Sequence, residues 1–154
     1  MEVKLETLCE AETEELGMRI GEQLFPGAVI YLDGELGAGK TVFARGIARG
    51  IGVNTPITSP TFILLQQHQG QLPFYHFDLY RLDHEDDLYE IGLDECLDGK
   101  GVSLIEWAGK FSEYLHWPAL SVTIKNLGAD RRQILLRAEE EPYLQIVQGL
   151  TTGR

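Results

Sequence analysis

Leu16, Ile20 and Leu24 recur every four residues, and Glu12, Glu14, Glu15 and Arg19 fill the positions between them. That spacing puts the apolar side chains on one face of a helix. Thr7-Leu8-Cys9-Glu10 reads as a capping box that opens it, with Thr7 as N-cap and Glu10 three residues on. Pro26-Gly27 closes it. Residues 28–32 are a continuous apolar run of strand length, which predicts a strand covered on both faces. A glycine-rich turn over 34–41 follows. Phe43, Ile47 and Ile51 then share one face of a second helix over 42–51, with Arg45 and Arg49 elsewhere and Gly52 after it.

Proline and polar residues make 54–60 a loop. Residues 61–67 and 72–78 read as a hairpin around Gln69-Gly70-Gln71. A short acidic helix is predicted over 84–91. Residues 102–105 form a second buried strand that ends at Glu106-Trp107. A second hairpin, 120–125 with 133–138, turns at Gly128-Ala129-Asp130, and a last helix covers 142–150. Buried strands of the parallel type plus two hairpins predict an α/β fold with a mixed sheet.

The chain has 154 residues, enough for one domain with a core that needs no disulfide or metal. Residues 1–150 are expected to form that domain, with 151–154 as a frayed tail. Cys9 and Cys96 make no framework and no CxxC pair, so reduced thiols are expected. No apolar run approaches a membrane span, and the acidic start, MEVKLETLCEAETEE, does not read as a signal peptide. These features suit a cytoplasmic protein. The formal net charge of −11 argues against broad attraction to nucleic acid or to anionic membrane.

One motif carries chemistry. Gly34-Glu35-Leu36-Gly37-Ala38-Gly39-Lys40-Thr41 fits GxxxxGK[ST] and sits between a predicted strand and a predicted helix. Glycines let successive N–H groups curl inward as an anion nest. The helix N-terminus adds further unpaired N–H groups and the positive end of its dipole. Lys40 can reach the β- and γ-phosphates of a nucleotide, and the Thr41 hydroxyl can sit on Mg²⁺. Such a site needs a strand-end acid for the metal. Glu106, closing VSLIE, fits that role. Asp78, closing LPFYHFD, can orient water or stand behind the metal.

Thr58-Ser59-Pro60-Thr61 reads either as a γ-phosphate-sensing switch or as ordinary turn chemistry. His68, His76, His84 and His116 show no ligand spacing and read as structural or surface residues, although His76 and Asp78 share a strand face. Asp83, Glu85, Asp86, Asp87 and Glu90 form either a solvated face or a dock for a basic partner. Trp107 is either core packing or a lid on the nucleotide.

Beyond the loop motif, ETEELG near the start, SPTF at 59–62, YHFDLYRL at 75–82, IGLDE at 91–95 and LIEW at 104–107 occur in an order that resembles the TsaE (YjeE) family. The resemblance spans most of the chain. It implies a P-loop NTPase-like three-layer fold with a mixed, mainly parallel sheet plus antiparallel hairpins. It also implies an ATPase of bacterial tRNA threonylcarbamoyladenosine biosynthesis. Under it, Leu36, Gly37, Ala38, Gly39, Lys40 and Thr41 bind the phosphates, and Thr41 and Glu106 ligate Mg²⁺. Lys40, Asp78 and Glu106 carry catalysis, and Trp107 lies near the nucleotide. Glu10 lies near the base or ribose, and Arg131, with Arg132 as the alternative, reaches the nucleotide. Ser59, Pro60 and Thr61 form the switch.

The implied partners are ATP and ADP and a threonylcarbamoyl-transferase complex of TsaB- and TsaD-type subunits. That complex modifies the adenosine beside the anticodon of tRNAs reading codons that begin with A; tRNA is met only indirectly, and no membrane is involved. Two rivals remain at this level: a small-molecule kinase, since GELGAGKT also fits GxxGxGK[ST], and a nucleotide-gated binding module. A GTPase is disfavoured, because the chain has no NKxD guanine reader.

Overall fold

The computed structural model describes residues 1–58 and 64–152. Among the described residues a seven-stranded sheet runs in the order β1-β7-β6-β2-β5-β4-β3. Its parallel middle is β6 (Leu120–Gly128), β2 (Val29–Gly34), β5 (Val102–Glu106) and β4 (Pro73–Asp78). β7 (Arg131–Arg137) and β3 (Leu65–Gln69) join antiparallel on either side, and β1 (Glu2–Thr7) closes one edge against β7. Every residue of β5 is buried, as a central strand of a sheet covered on both faces should be. One core lies beneath α1 (Glu10–Gly21), α2 (Lys40–Ile51) and α5 (Tyr143–Thr152), and contains Ile20, Phe43, Ile47, Leu104 and Val147. The other lies beneath α3 (Glu85–Glu90) and α4 (Leu93–Leu97), and contains Phe77, Leu88, Leu93 and Ile105.

Two expectations change at the N-terminus. Thr7 is the last residue of β1 and not a cap; its Oγ1 lies 2.6 Å from that of Thr13. Cys9 takes the N-cap position without a side-chain bond, and Glu12 instead accepts from the Leu8 N–H at 2.9 Å. Pairing with β7 competes for the segment and wins. The strand signal is present, because Val3 and Leu5 alternate with Glu2, Lys4 and Glu6. The sequence pattern predicts no helix at α4; Gly92, at φ 77°, breaks the chain between it and α3.

α1 and α2 approach at backbone distance because glycines four apart face each other, Gly17 and Gly21 against Gly46 and Gly50. A Cβ on Gly17 would lie 2.6 Å from the Phe43 carbonyl oxygen, and one on Gly46 would overlap the Glu14 carbonyl. Helix propensity favours alanine over glycine by about 1 kcal/mol, but a backbone overlap costs about 1–3 kcal/mol or more. The atom met at Gly46 is backbone, which puts the overlap at the upper end of that range, so Gly46→Ala is expected to lower stability by about 2 kcal/mol. Urea denaturation checks this; an unchanged or raised midpoint would contradict the close packing. The contact matters for function because α2 carries the glycine-rich loop at its N-terminus.

Candidate nucleotide-binding site

β2 ends at Gly34 and α2 begins at Lys40, so the five residues between them make the turn. Gly39 precedes the helix at φ 103°, a left-handed conformation that a side chain would strain. Lys40 is 6% exposed. Its Nζ donates to the Gly34 carbonyl at 2.6 Å and lies 3.7 Å from the centre of the Trp107 ring. Burial lowers the pKa of this amine, and the charges of Glu106, Asp78 and Asp33 oppose that shift.

The acids arrive from two parallel strands in register. Asp78 of β4 pairs with Glu106 of β5, and Leu32 of β2 pairs with Glu106 on the other side. Both acids therefore sit at the carboxyl ends of neighbouring strands, beside the loop, where open α/β sheets place their ligands. Glu106 is buried, and His76 lies against it, Nε2 to Oε2 at 2.5 Å. Asp78 is half-buried, and its Oδ1 accepts from the Tyr80 N–H at 2.9 Å. Burial raises its pKa most, the Tyr80 N–H opposes this, and the neighbouring Glu106 charge raises it further.

Trp107 turns out of β5 at φ 61°, which a bulky residue rarely adopts. Its N–H donates to Leu32 at 3.1 Å, and its ring meets that of Tyr80 at 4.8 Å. This turn puts the indole over the lysine amine. Leu36, Gly37, Gly39, Lys40 and Thr41 share one cavity of about 540 Å³ with Asp78, Tyr80, Arg81, Glu106, Trp107 and Arg132. Ala38 is buried beneath the turn.

The two late-hairpin arginines part company. Arg131 pairs with Glu6 at the exposed sheet edge. Arg132 turns onto the loop, its Nε donating to the Ala38 carbonyl at 2.7 Å. Glu10 is exposed and pairs with Arg45 at 3.2 Å. It borders a recess of about 40 Å³ that also touches Gly39, Val42 and Arg132. Ser59, Pro60 and Thr61 lie outside the described residues; Thr58, just before them, accepts from Gln66 Nε2 at 3.4 Å. The contact that sequence reading missed is His76 on Glu106. Its signal was the shared strand face of His76 and Asp78.

Among the described residues no group of three or more His, Cys, Asp or Glu side chains can hold a metal ion. Mg²⁺ does not need such a cage, because it keeps several waters and takes one or two carboxylates plus phosphate oxygens. The Thr41 hydroxyl and the desolvated Glu106 carboxylate, with Asp78 beside them, fit that demand.

A strand, a glycine-rich loop, a helix and two strand-end acids in one cavity define a nucleotide-binding protein of the P-loop class. The sequence model of the family described as "Threonylcarbamoyl adenosine biosynthesis protein TsaE" matches residues 7–134. The chain belongs to the TsaE family. It is 38% identical over 151 residues to the tRNA threonylcarbamoyladenosine biosynthesis protein TsaE of Bacillus subtilis, covering 97% of this chain and 94% of that one. It is 40% identical over 123 residues to the protein of that name in Treponema pallidum, covering 80% of this chain and 91% of that one. The crystal structure of YdiB from Bacillus subtilis matches with a TM-score of 0.82 at 35% identity, covering 99% of this chain and 96% of that one.

Proposed function

We propose that this chain is a Mg²⁺-dependent ATPase that binds the threonylcarbamoyl-transferase complex, of TsaB- and TsaD-type subunits, and sustains its repeated turnover. The product is threonylcarbamoyladenosine next to the anticodon of tRNAs reading codons that begin with A. The observation that carries this reading is the single cavity holding Lys40 and the glycine-rich loop opposite Asp78 and Glu106. Family membership supplies the pathway.

The loop N–H groups from Leu36 to Thr41 and the N-terminus of α2 hold the phosphates. Lys40 exchanges the Gly34 carbonyl for the β- and γ-phosphates. Thr41 and Glu106 would hold Mg²⁺, which neutralises charge on the transferring phosphoryl group when bound. Asp78 orients the attacking water. Arg132, already on the loop at Ala38, takes the role of the late arginine in place of Arg131. Glu10 lies on the base or ribose side, beside the recess at Gly39. Trp107 covers the nucleotide, and Ser59, Pro60 and Thr61 form the switch. No described helix is long and apolar enough to cross a membrane. The net charge of −11 favours a protein partner over direct tRNA binding, and the reading places the chain in the cytoplasm.

Phosphate release tests the reading. The isolated chain should hydrolyse ATP slowly without any acceptor, and the transferase complex should raise the rate severalfold. A kinase would pass the γ-phosphoryl group to its acceptor and would release ADP without free phosphate. The acidic helix α3 is the proposed dock, since Glu85 and Asp86 are exposed on it. Reversing Glu85, Asp86 and Asp87 to lysine should abolish the stimulation and leave the basal rate intact. Stimulation that survives the reversal would remove this dock; no stimulation by the intact complex would overturn the partner.

A further inference from the structure

Six polar or charged side chains are buried among the described residues, and three of them, Lys40, His76 and Glu106, meet at the nucleotide cavity or directly behind it. Lys40 and Glu106 line the cavity; His76 does not. His76 is fully buried in β4, between Phe74, whose ring lies 5.9 Å away, and Asp78 two residues on. Across the register it faces Leu104 of β5 on one side and Gln66 of β3 on the other. Its Nε2 is 2.5 Å from Glu106 Oε2. An ionised carboxylate can only accept, so Nε2 carries the hydrogen. Nδ1 has no hydrogen-bond partner among the described residues, so the carboxylate is the ring's one polar contact there.

A histidine kept only for packing has no need of a carboxylate, and the acid it meets is one of the two that line the cavity. A carboxylate on a long glutamate side chain has several rotamers, and one charge-assisted hydrogen bond from a fixed ring selects among them. That bond occupies Oε2 and leaves the second oxygen for the cavity. The ring is fully enclosed, on a strand paired on both sides, and has no solvent to turn into.

We propose that His76 is a positioning residue: from behind the cavity it holds the Glu106 carboxylate in the one orientation that serves a divalent cation at Thr41. The inference rests on the Mg²⁺-nucleotide reading above. Residues that orient ligating groups typically change metal affinity about 10- to 100-fold when removed. His76 should therefore govern how Mg²⁺ strengthens nucleotide binding and leave metal-free binding alone.

The test is calorimetric titration of ADP into the intact chain over a series of Mg²⁺ concentrations. His76→Phe keeps the ring and removes the donor. It should raise the Mg²⁺ needed for half-maximal tightening about 10- to 100-fold, with metal-free ADP affinity within about twofold. His76→Gln returns an N–H near the Nε2 position and should restore most of the Mg²⁺ response, whatever it does to thermal stability. Two variants that lose stability yet keep the wild-type Mg²⁺ response would overturn the positioning role. A variant-free arm covers a failure of either to fold. In the ¹⁵N-labelled wild type, the His76 Nε2–H signal should be protected from exchange and should shift when Mg²⁺ is added to the ADP-bound chain; a signal indifferent to Mg²⁺ overturns the proposal. A wild type whose ADP binding ignores Mg²⁺ would instead overturn the nucleotide reading itself, and this inference with it.

Discussion

Lys40→Met should lower the affinity of the chain for Mg²⁺-ATP by about 10- to 100-fold or more, since a charge-assisted hydrogen bond contributes about 1.5–3 kcal/mol. Lys40 is the one cation within the loop, and its amine is already sequestered there, on the Gly34 carbonyl and over the Trp107 ring. A triphosphate offers that amine a stronger acceptor than a neutral carbonyl. Methionine retains most of the buried stem, so the loss falls on the charge. The same change leaves Asp78 and Glu106 facing each other without the lysine between them and the loop, which raises the cost of ionising Asp78. Calorimetry decides the matter. Unchanged affinity in a folded Lys40→Met chain would end the assignment of the loop as a phosphate site.

The second large effect belongs to Asp78. Asp78→Asn should reduce ATP hydrolysis by about 10²- to 10⁴-fold, the usual reach of a positioned acid–base group, while ATP affinity stays within about threefold. Asparagine keeps an oxygen for the Tyr80 N–H, so the turn after β4 should survive. What disappears is the carboxylate that faces the cavity from the strand next to Glu106. Glu106→Gln should differ, by weakening the Mg²⁺ dependence of binding itself. Rate measurements under saturating ATP, paired with binding data, separate the two. Equal losses of binding in both variants would show that the roles are divided wrongly.

Much of this site was legible because its signals are local. GELGAGKT between an apolar strand and an amphipathic helix defines the loop, and acids at the ends of apolar runs mark Asp78 and Glu106. Their register across β4 and β5 is not local, and only the sheet brings them side by side. His76 was legible as a strand-face neighbour of Asp78, but its carboxylate partner lies thirty positions away on another strand. Arg131 and Arg132 are adjacent in sequence and point to opposite sides of β7. The two-residue period of the strand decides which reaches the loop, and Arg132 keeps the regular register with Asn126 while the irregularity falls beyond it, at Gly128 and Arg131. Thr7 illustrates the reverse error. A capping box is a local pattern, and it lost to a non-local one, the pairing of β1 with β7. The four facing glycines of α1 and α2 carried no weight one helix at a time; their meaning appears only when both helices are laid together.

The central claim is that hydrolysis, and not nucleotide occupancy alone, lets the transferase complex work repeatedly. Quantifying threonylcarbamoyladenosine formed per transferase complex, with tRNA and the threonylcarbamoyl donor in excess, tests it most directly. With the wild-type chain and ATP, the yield should exceed one modified adenosine per complex. With Asp78→Asn, or with a non-hydrolysable ATP analogue, it should stop near one. An Asp78→Asn chain that binds ATP, fails to hydrolyse it and still supports the full wild-type yield would contradict the claim, and would make the protein a nucleotide-gated binding module.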